Sequence, residues 1–275
     1  MANFSVADVK ALREQLGTGM VDTKNALVEA DGDIEKAVEI LRLKGAKGNA
    51  KRADRSTSEG LVAAREVDGK AWLIELACET DFVAKNDKFV ALGDGVLQAI
   101  VEAGATDLDS ALAAPAATKT VAEVIDDQAA VIGEKIVLRR VAFLEGDSFA
   151  IYLHKTSKDL PPQVGVVVAY TGADADTARS IAQHISFAAP EVLTREEVPA
   201  DKVDNERRIV EEISRQEGKP EAILPKIVEG RLGAFYKQVV LLEQDYAKDN
   251  SQTVGKVAQA AGITVTGFAR FKVGA

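Results

Sequence analysis

Side chains suited to nucleophilic, acid–base or metal chemistry are scarce in this sequence: one cysteine, Cys78, and two histidines, His154 and His184. A single cysteine excludes an internal disulfide and any cysteine-rich zinc site. Two histidines so far apart exclude an HExxH metal helix. Phosphate cradles are missing too. Gly69-Lys70, Gly218-Lys219 and Gly255-Lys256 each lack the upstream glycine and the following Ser or Thr of a P-loop. Gly17-Thr18-Gly19 and Gly93-Asp94-Gly95 are incomplete dinucleotide fingerprints, and no G-x-S-x-G elbow occurs. Carboxylates are plentiful, but in an acidic chain they belong on solvated faces. The inventory points to a protein that acts by binding, with no cofactor, no metal, no catalytic residue and no bond chemistry of its own.

One short segment combines a polar cap with an aromatic side chain. Thr80 stands where a helix should begin after a strand, with Asp81 in the favourable first turn. By residue type alone this is a capped helix whose Phe82 and Val83 face a core. Lys85 and Asn86 read as solvated or capping residues, and Cys78, in an apolar strand, as an inert buried thiol. His154 reads as a strand-end histidine and His184 as a helical one, packed or on the surface.

These residues must be positioned by a chain of 275 residues, enough for about two domains. It carries 34 Lys+Arg against 43 Asp+Glu, a net charge of −9, so it can meet nucleic acid only through a local basic patch. No apolar run approaches the ~20 residues that span a bilayer, and Met1 to Lys10 has no signal-peptide core, so a soluble cytoplasmic protein without membrane contact is expected.

Residues 1–45 read as three helices. Ser5 and Asp8 resemble a capping box ahead of Val6, Val9, Leu12 and Leu16. Gly17-Thr18-Gly19 stops this helix, and Met20, Thr23, Leu27 and Ala30 form the next stripe. Asp33 caps a third with Ile34, Ala37, Val38 and Leu41. Residues 46–55 lie within a basic run from Arg42 to Arg55, read as a solvated linker. Docking on an acidic partner is the alternative, and RNA comes third, because no aromatic residue is interleaved.

From residue 56 one unit is used twice, in subdomains 56–143 and 144–275. Each opens on a Glu-Gly pair, Glu59-Gly60 and Glu145-Gly146. Two strands, a helix, a matching Thr-Val segment (Thr120-Val121, Thr253-Val254) and a last strand follow: 61–64, 71–77 and 136–143 in the first copy, 149–153, 164–170 and 263–271 in the second. The second copy is interrupted at about 190–236, where two helices flank Gly218-Lys219-Pro220 and read as a projecting antiparallel hairpin. Such an arm needs a partner surface for its apolar stripe, and a dimer through it is one possibility.

Leu12-Arg13-Glu14 and the run Gly17 to Leu27 (GTGMVDTKNAL) resemble the N-terminal signature of the bacterial translation elongation factor Ts family. Cys78 to Asn86 (CETDFVAKN) is similar to its second signature. Ile132-Gly133-Glu134, Arg139-Arg140-Val141-Ala142 and Thr266-Gly267-Phe268-Ala269-Arg270-Phe271 fit in the same order, so the resemblance runs essentially end to end.

The resemblance implies an α+β fold: a ubiquitin-associated-like helical domain, two similar core subdomains with antiparallel sheets, and an inserted coiled-coil arm. It implies a guanine-nucleotide exchange factor for elongation factor Tu in polypeptide elongation, with no direct nucleic-acid contact. Thr80, Asp81, Phe82 and Val83 match the segment that dislodges the GTPase's Mg²⁺, which makes Phe82 a wedge instead of a core residue. Arg13, Met20, Val21 and Lys24 match positions where the helical domain meets Tu; Met20 could equally belong to the small core, and Arg13 and Lys24 to the solvated surface. Ile132 and Gly133 match a further contact, though a turn glycine explains them as well, and His154 matches another. Some family members extend well beyond the last strand, whereas this chain stops at Val273-Gly274-Ala275, so a contact made by such a tail is expected to be absent. The competing class is an adaptor or chaperone that holds other clients with its helical domain and arm.

Overall fold

The computed structural model describes residues 3–16 and 18–275; Gly17, part of the first predicted helix stop, lies outside them. Three helices come first: α1 (Val6–Leu16), α2 (Met20–Glu29) and α3 (Ile34–Arg52). The first copy follows as β1 (Glu59–Val67), β2 (Lys70–Cys78), α4 (Asp81–Ala84), α5 (Asp87–Ala103), α6 (Leu108–Ala113), β3 (Pro115–Ala116), β4 (Lys119–Thr120), α7 (Val121–Ile132) and β5 (Ile136–Glu145). The second is β6 (Ser148–His154), β7 (Val164–Thr171), α8 (Ala175–Ala188), α9 (Ala200–Gln216), α10 (Leu224–Val239), β8 (Asp245–Tyr246), β9 (Asp249–Thr253), α11 (Val254–Ala260) and β10 (Thr264–Lys272). Helices and antiparallel sheets are thus mixed in the α+β manner.

The helical unit closes around Val9, Leu12, Ala26, Leu27, Ala30, Ala37 and Leu41. Ser5 and Asp8 cap α1 reciprocally, with Ser5 N donating to Asp8 Oδ2 at 2.7 Å and Asp8 N to Ser5 Oγ at 3.2 Å. Asp33 caps α3 through Lys36 N at 3.1 Å. Val6 and Ile34, counted in the apolar stripes, are exposed. Each opens its helix, and a helical side chain leans toward the N-terminus, here past the end of the packed surface. Phe4 packs on the cluster instead.

Residues 46–52, expected in a linker, form the last turns of α3. This stretch packs on α7: a Cβ on Gly45 would stand 2.8 Å from that of Ala130. Asn49 Nδ2 donates to the Asp126 carbonyl at 2.9 Å, and Arg52 Nη2 to that of Ala129 at 3.3 Å. Lys47 and Lys51 stay exposed. Arg42, Lys44, Lys47 and Lys51 make one solvated side of a helix whose other side, small residues with Arg52, meets α7, and charge count alone does not separate that from a linker.

The two copies share a strand order. Sheets β1-β2-β5 and β6-β7-β10 each place the second strand in the middle of a three-stranded antiparallel array. Asp68 and Gly69 turn the first hairpin, both with positive φ, while residues 155–163 form the longer connection of the second. Thr120 and Thr253 both cap their helices, α7 and α11, each hydroxyl accepting from the third backbone N–H of its helix at 3.3 Å. The sheets pack face to face through Val62, Ala71, Leu73, Val167 and Val273. On the outer faces, α5 and α7 cover the first sheet, and α8 and α11 the second. Strand β5 runs on to Glu145, so the expected boundary after residue 143 falls inside a strand, and the turn comes at Gly146.

The inserted helices α9 and α10 run antiparallel around Val210, Val228 and Leu232, with Arg207 Nη1 to Glu229 Oε1 at 2.7 Å along one edge. Gly218, at φ 72°, ends the first of them. α10 continues to Val239, past the expected limit near 236, because Val239 and Val240 bury beside Val198 at the arm's base.

His184 anchors that base to α8 and is buried. Its Nδ1 accepts from Ala247 N at 3.1 Å, so Nε2 carries the proton it donates to Gln244 Oε1 at 2.9 Å. Burial lowers the imidazole's proton affinity, only partly offset by Gln244. The folded state therefore favours neutral His184, and its stabilisation is complete above the unfolded pKa, about 6.5. As pH falls below that value the unfolded chain takes up a proton that the folded chain refuses. Unfolding free energies from urea melts between pH 7 and pH 5 should fall more steeply for the wild type than for His184→Gln, by at most about 1.4 kcal/mol per pH unit.

Candidate functional site

The candidate site is a turn at the end of β2. Thr80 accepts from Val83 N through Oγ1 at 3.3 Å and so starts α4, a helix of four residues. The sequence pattern predicts one helix after Thr80, but the chain breaks it: Asn86 is extended and caps a second helix, α5, by accepting from Lys88 N at 2.9 Å. Ala84 is buried and Val83 packs on the first-copy core. Phe82 does not: it is 76% exposed. An apolar ring held out in water on a capped turn is the reverse of what its residue type predicts.

Neighbouring charges fix the turn's exposed side. Asp81 Oδ2 accepts from Lys85 Nζ at 2.9 Å, one helical turn on, and the same ammonium stands 4.9 Å from the Phe82 ring centroid. The hydrogen bond from Lys85 is the main reason the Asp81 carboxyl titrates below its ordinary range. Beneath the turn, Cys78 is buried, and burial together with the negative charges of Glu134, Glu59 and Glu79 pushes its thiol up to about 12. It stays protonated and unreactive near neutrality.

Glu134 reaches the turn from the segment after α7, accepting from Thr80 N at 3.1 Å and Thr80 Oγ1 at 2.7 Å. Ile132 ends α7 and Gly133 is its left-handed cap at φ 85°, so these two expected contact residues stand beside Thr80–Val83 through Glu134. A Cβ on Gly133 would meet nothing within 4 Å, which leaves only the backbone penalty. Gly133→Ala should therefore cost about 1–2 kcal/mol of stability by chemical denaturation, and Gly133→Asn less.

His154 lies at the same end of the molecule. The row Glu59, Cys78, Ile136 ends the first sheet, and His154 and Val164 end the second. Gln163 joins them, its N donating to the His154 carbonyl at 2.9 Å and its Nε2 to that of Gly60 at 2.7 Å. His154 is exposed and touches Tyr152 Oη through Nδ1 at 3.0 Å. Arg13, Met20, Val21 and Lys24 sit apart, on α1 and α2. All four are exposed, Met20 by 43% and Val21 by 70%, and neither apolar residue joins the small core.

Residue patterns did not assign roles to Glu79 and Glu134, the carboxylates that hold the turn. Their signal was present only as spacing: each borders a glycine or threonine turn in a quoted motif, without any hint that the two meet. Among the described residues no cluster of His, Cys, Asp and Glu is placed to hold a metal, and no helix is long and apolar enough to cross a membrane.

Comparison with known proteins places this arrangement. The family profile described as Elongation factor TS matches residues 79–275. Elongation factor Ts of Clavibacter sepedonicus is 74% identical over 275 residues, covering the whole of both chains. The proteins of the same name from Leifsonia xyli subsp. xyli and Micrococcus luteus are 73% and 57% identical, again over the full length of each chain. The turn from Thr80, the Ile132–Glu134 segment and the whole second sheet fall within the profile match, the full-length relatives cover the rest, and the chain belongs to the elongation factor Ts family.

Proposed function

We propose that the chain is a guanine-nucleotide exchange factor for elongation factor Tu, working in the cytoplasm during polypeptide elongation and making no bonds itself. The observation that carries this is Phe82: a fully presented aromatic ring on a four-residue helix capped from two sides. Inserted between two elements of the GTPase, such a ring buries about 150–250 Å² and can offset the cost of separating them. The GTPase's switch region then loses its hold on its own Mg²⁺, which removes a charge clamp from the nucleotide phosphates. Thr80 and Asp81 keep the wedge in place, and Val83 roots it in the core.

Coupling of this kind is reciprocal. If the factor weakens GDP binding, GDP weakens binding of the factor by the same ratio, and incoming nucleotide ejects it. The direction of net exchange comes from the nucleotide pool. In the same reading, α1–α3 are a ubiquitin-associated-like domain whose Arg13, Met20, Val21 and Lys24 meet Tu, Ile132, Gly133 and His154 extend the contact, and α9–α10 are a coiled-coil arm that docks on Tu or on a second copy. No cofactor, nucleic acid or membrane takes part.

The test is release of fluorescent GDP from elongation factor Tu in excess unlabelled nucleotide. Release that accelerates and saturates with added chain supports the assignment. No acceleration with folded chain and active GTPase overturns it and favours an adaptor.

A further inference from the structure

The turn that carries Phe82 is held by an exchange of carboxylates between two segments. Glu134, past the end of α7, accepts from Thr80 N and Oγ1 at 3.1 and 2.7 Å. Glu79, just before the turn, accepts from Lys135 N at 2.6 Å and from Arg55 Nη1 at 3.2 Å. Each carboxylate thus binds the backbone of the other segment. Lys135 Nζ donates in turn to the carbonyls of Ala53 and Arg55, so the chain leaving the helical unit is tied to the same pair.

Helix α4 needs this support. Four residues are far fewer than the number at which a helix persists alone. The Thr80 hydroxyl has one proton, which goes to Glu134, leaving its lone pairs for Val83 N. The cap's orientation is therefore set by Glu134. Hydrogen bonds to a carboxylate are roughly twice as strong as neutral ones. Phe82 itself gains little from packing, so the direction in which it projects depends on the turn beneath it. A turn fixed before binding has less freedom left to lose when the ring is buried.

We propose that Glu134, with Glu79 as its counterpart, is a positioning residue for nucleotide release: it holds α4 so that Phe82 is presented before the GTPase arrives. This rests on the exchange-factor assignment and names the part of the fold that makes the wedge effective.

The experiment is a mutant cycle on the full chain. Glu134→Ala and Glu134→Gln are each made with Phe82 intact and with Phe82→Ala, and stimulated release of fluorescent GDP is measured beside thermal melts. With Phe82 intact, Glu134→Ala should slow stimulated release about tenfold or more. Glu134→Gln, which keeps one acceptor oxygen, should recover part of that loss. With Phe82 already removed, neither change should slow release further. Equal losses in both backgrounds, or losses that follow the melting temperature, would assign Glu134 to fold stability alone and overturn the proposal. So would full activity of Glu134→Ala. If Glu134→Ala does not fold, Glu134→Gln carries the cycle by itself. Absence of acceleration by the unmutated chain is a separate result: it removes the exchange-factor assignment first, and the positioning role falls with it.

Discussion

Phe82→Ala is expected to remove most of the acceleration of GDP release while leaving the chain as stable as before. The two halves of this expectation come from one structural feature, the 76% exposure of the ring. A side chain with so little packing has little to lose on truncation, and exposed substitutions usually stay within about 0.5 kcal/mol. The partner-bound state is different. Burying about 150–250 Å² at about 25 cal/mol per Å² is worth up to about 4–6 kcal/mol before ordering costs. Truncated anchors of this kind commonly lose at least about 2 kcal/mol, or about 30-fold in rate if the loss falls on the transition state. Stopped-flow release at saturating chain gives the rate, and a urea melt gives the stability. A large drop in stability would mean that Phe82 packs in solution. Unchanged release would keep the exchange function and eliminate the wedge.

Much of the fold was legible because its signals are local. Ser5 with Asp8, Asp33 and Thr80 all mark helix starts where side-chain oxygen and backbone N–H meet within one turn. The repeated strand order followed from two matching runs of apolar residues and turns. What escaped was anything decided by a neighbour distant in sequence. The small face of α3 reads as linker until α7 lies against it. Phe82 reads as core until the turn is built with Val83 and Ala84 turned inward. The Glu79–Lys135 and Thr80–Glu134 contacts join residues more than fifty positions apart, and no spacing rule anticipates them. Exposure does not by itself select Phe82, since Phe187 at the end of α8 is 83% exposed. The clamped turn beneath the ring, absent from any residue pattern, makes the distinction.

Glu75→Leu is expected to cost a large part of the chain's stability. Glu75 lies fully buried near the end of β2, the strand that delivers Thr80, on the face turned toward the second sheet. Its Oε2 accepts from Arg140 Nε at 2.6 Å, Arg139 Nε stands 3.8 Å from Oε1, and Gly274 N donates to Oε1 at 3.3 Å. Arg140 also donates through Nη2 to the Lys272 carbonyl at 2.8 Å and stacks 4.6 Å from the Phe271 ring centroid. One carboxylate thus joins the first sheet to the last residues of β10 and beyond. Glu75→Leu leaves two guanidinium groups facing an apolar layer and an unpaired Gly274 N–H. Breaking a buried pair from one side costs about 3–5 kcal/mol. The arginine side chains are about a third exposed and recover some hydration, so the low end, about 3 kcal/mol, is expected. The measurement is the urea midpoint at unchanged slope. A second variant separates charge from shape: adding Arg140→Met to Glu75→Leu removes the closer of the two uncompensated charges, and stability should return part of the way toward wild type. If the double variant is no better than the single one, the loss comes from packing and from the Gly274 tether, and the ion pair contributes nothing by itself.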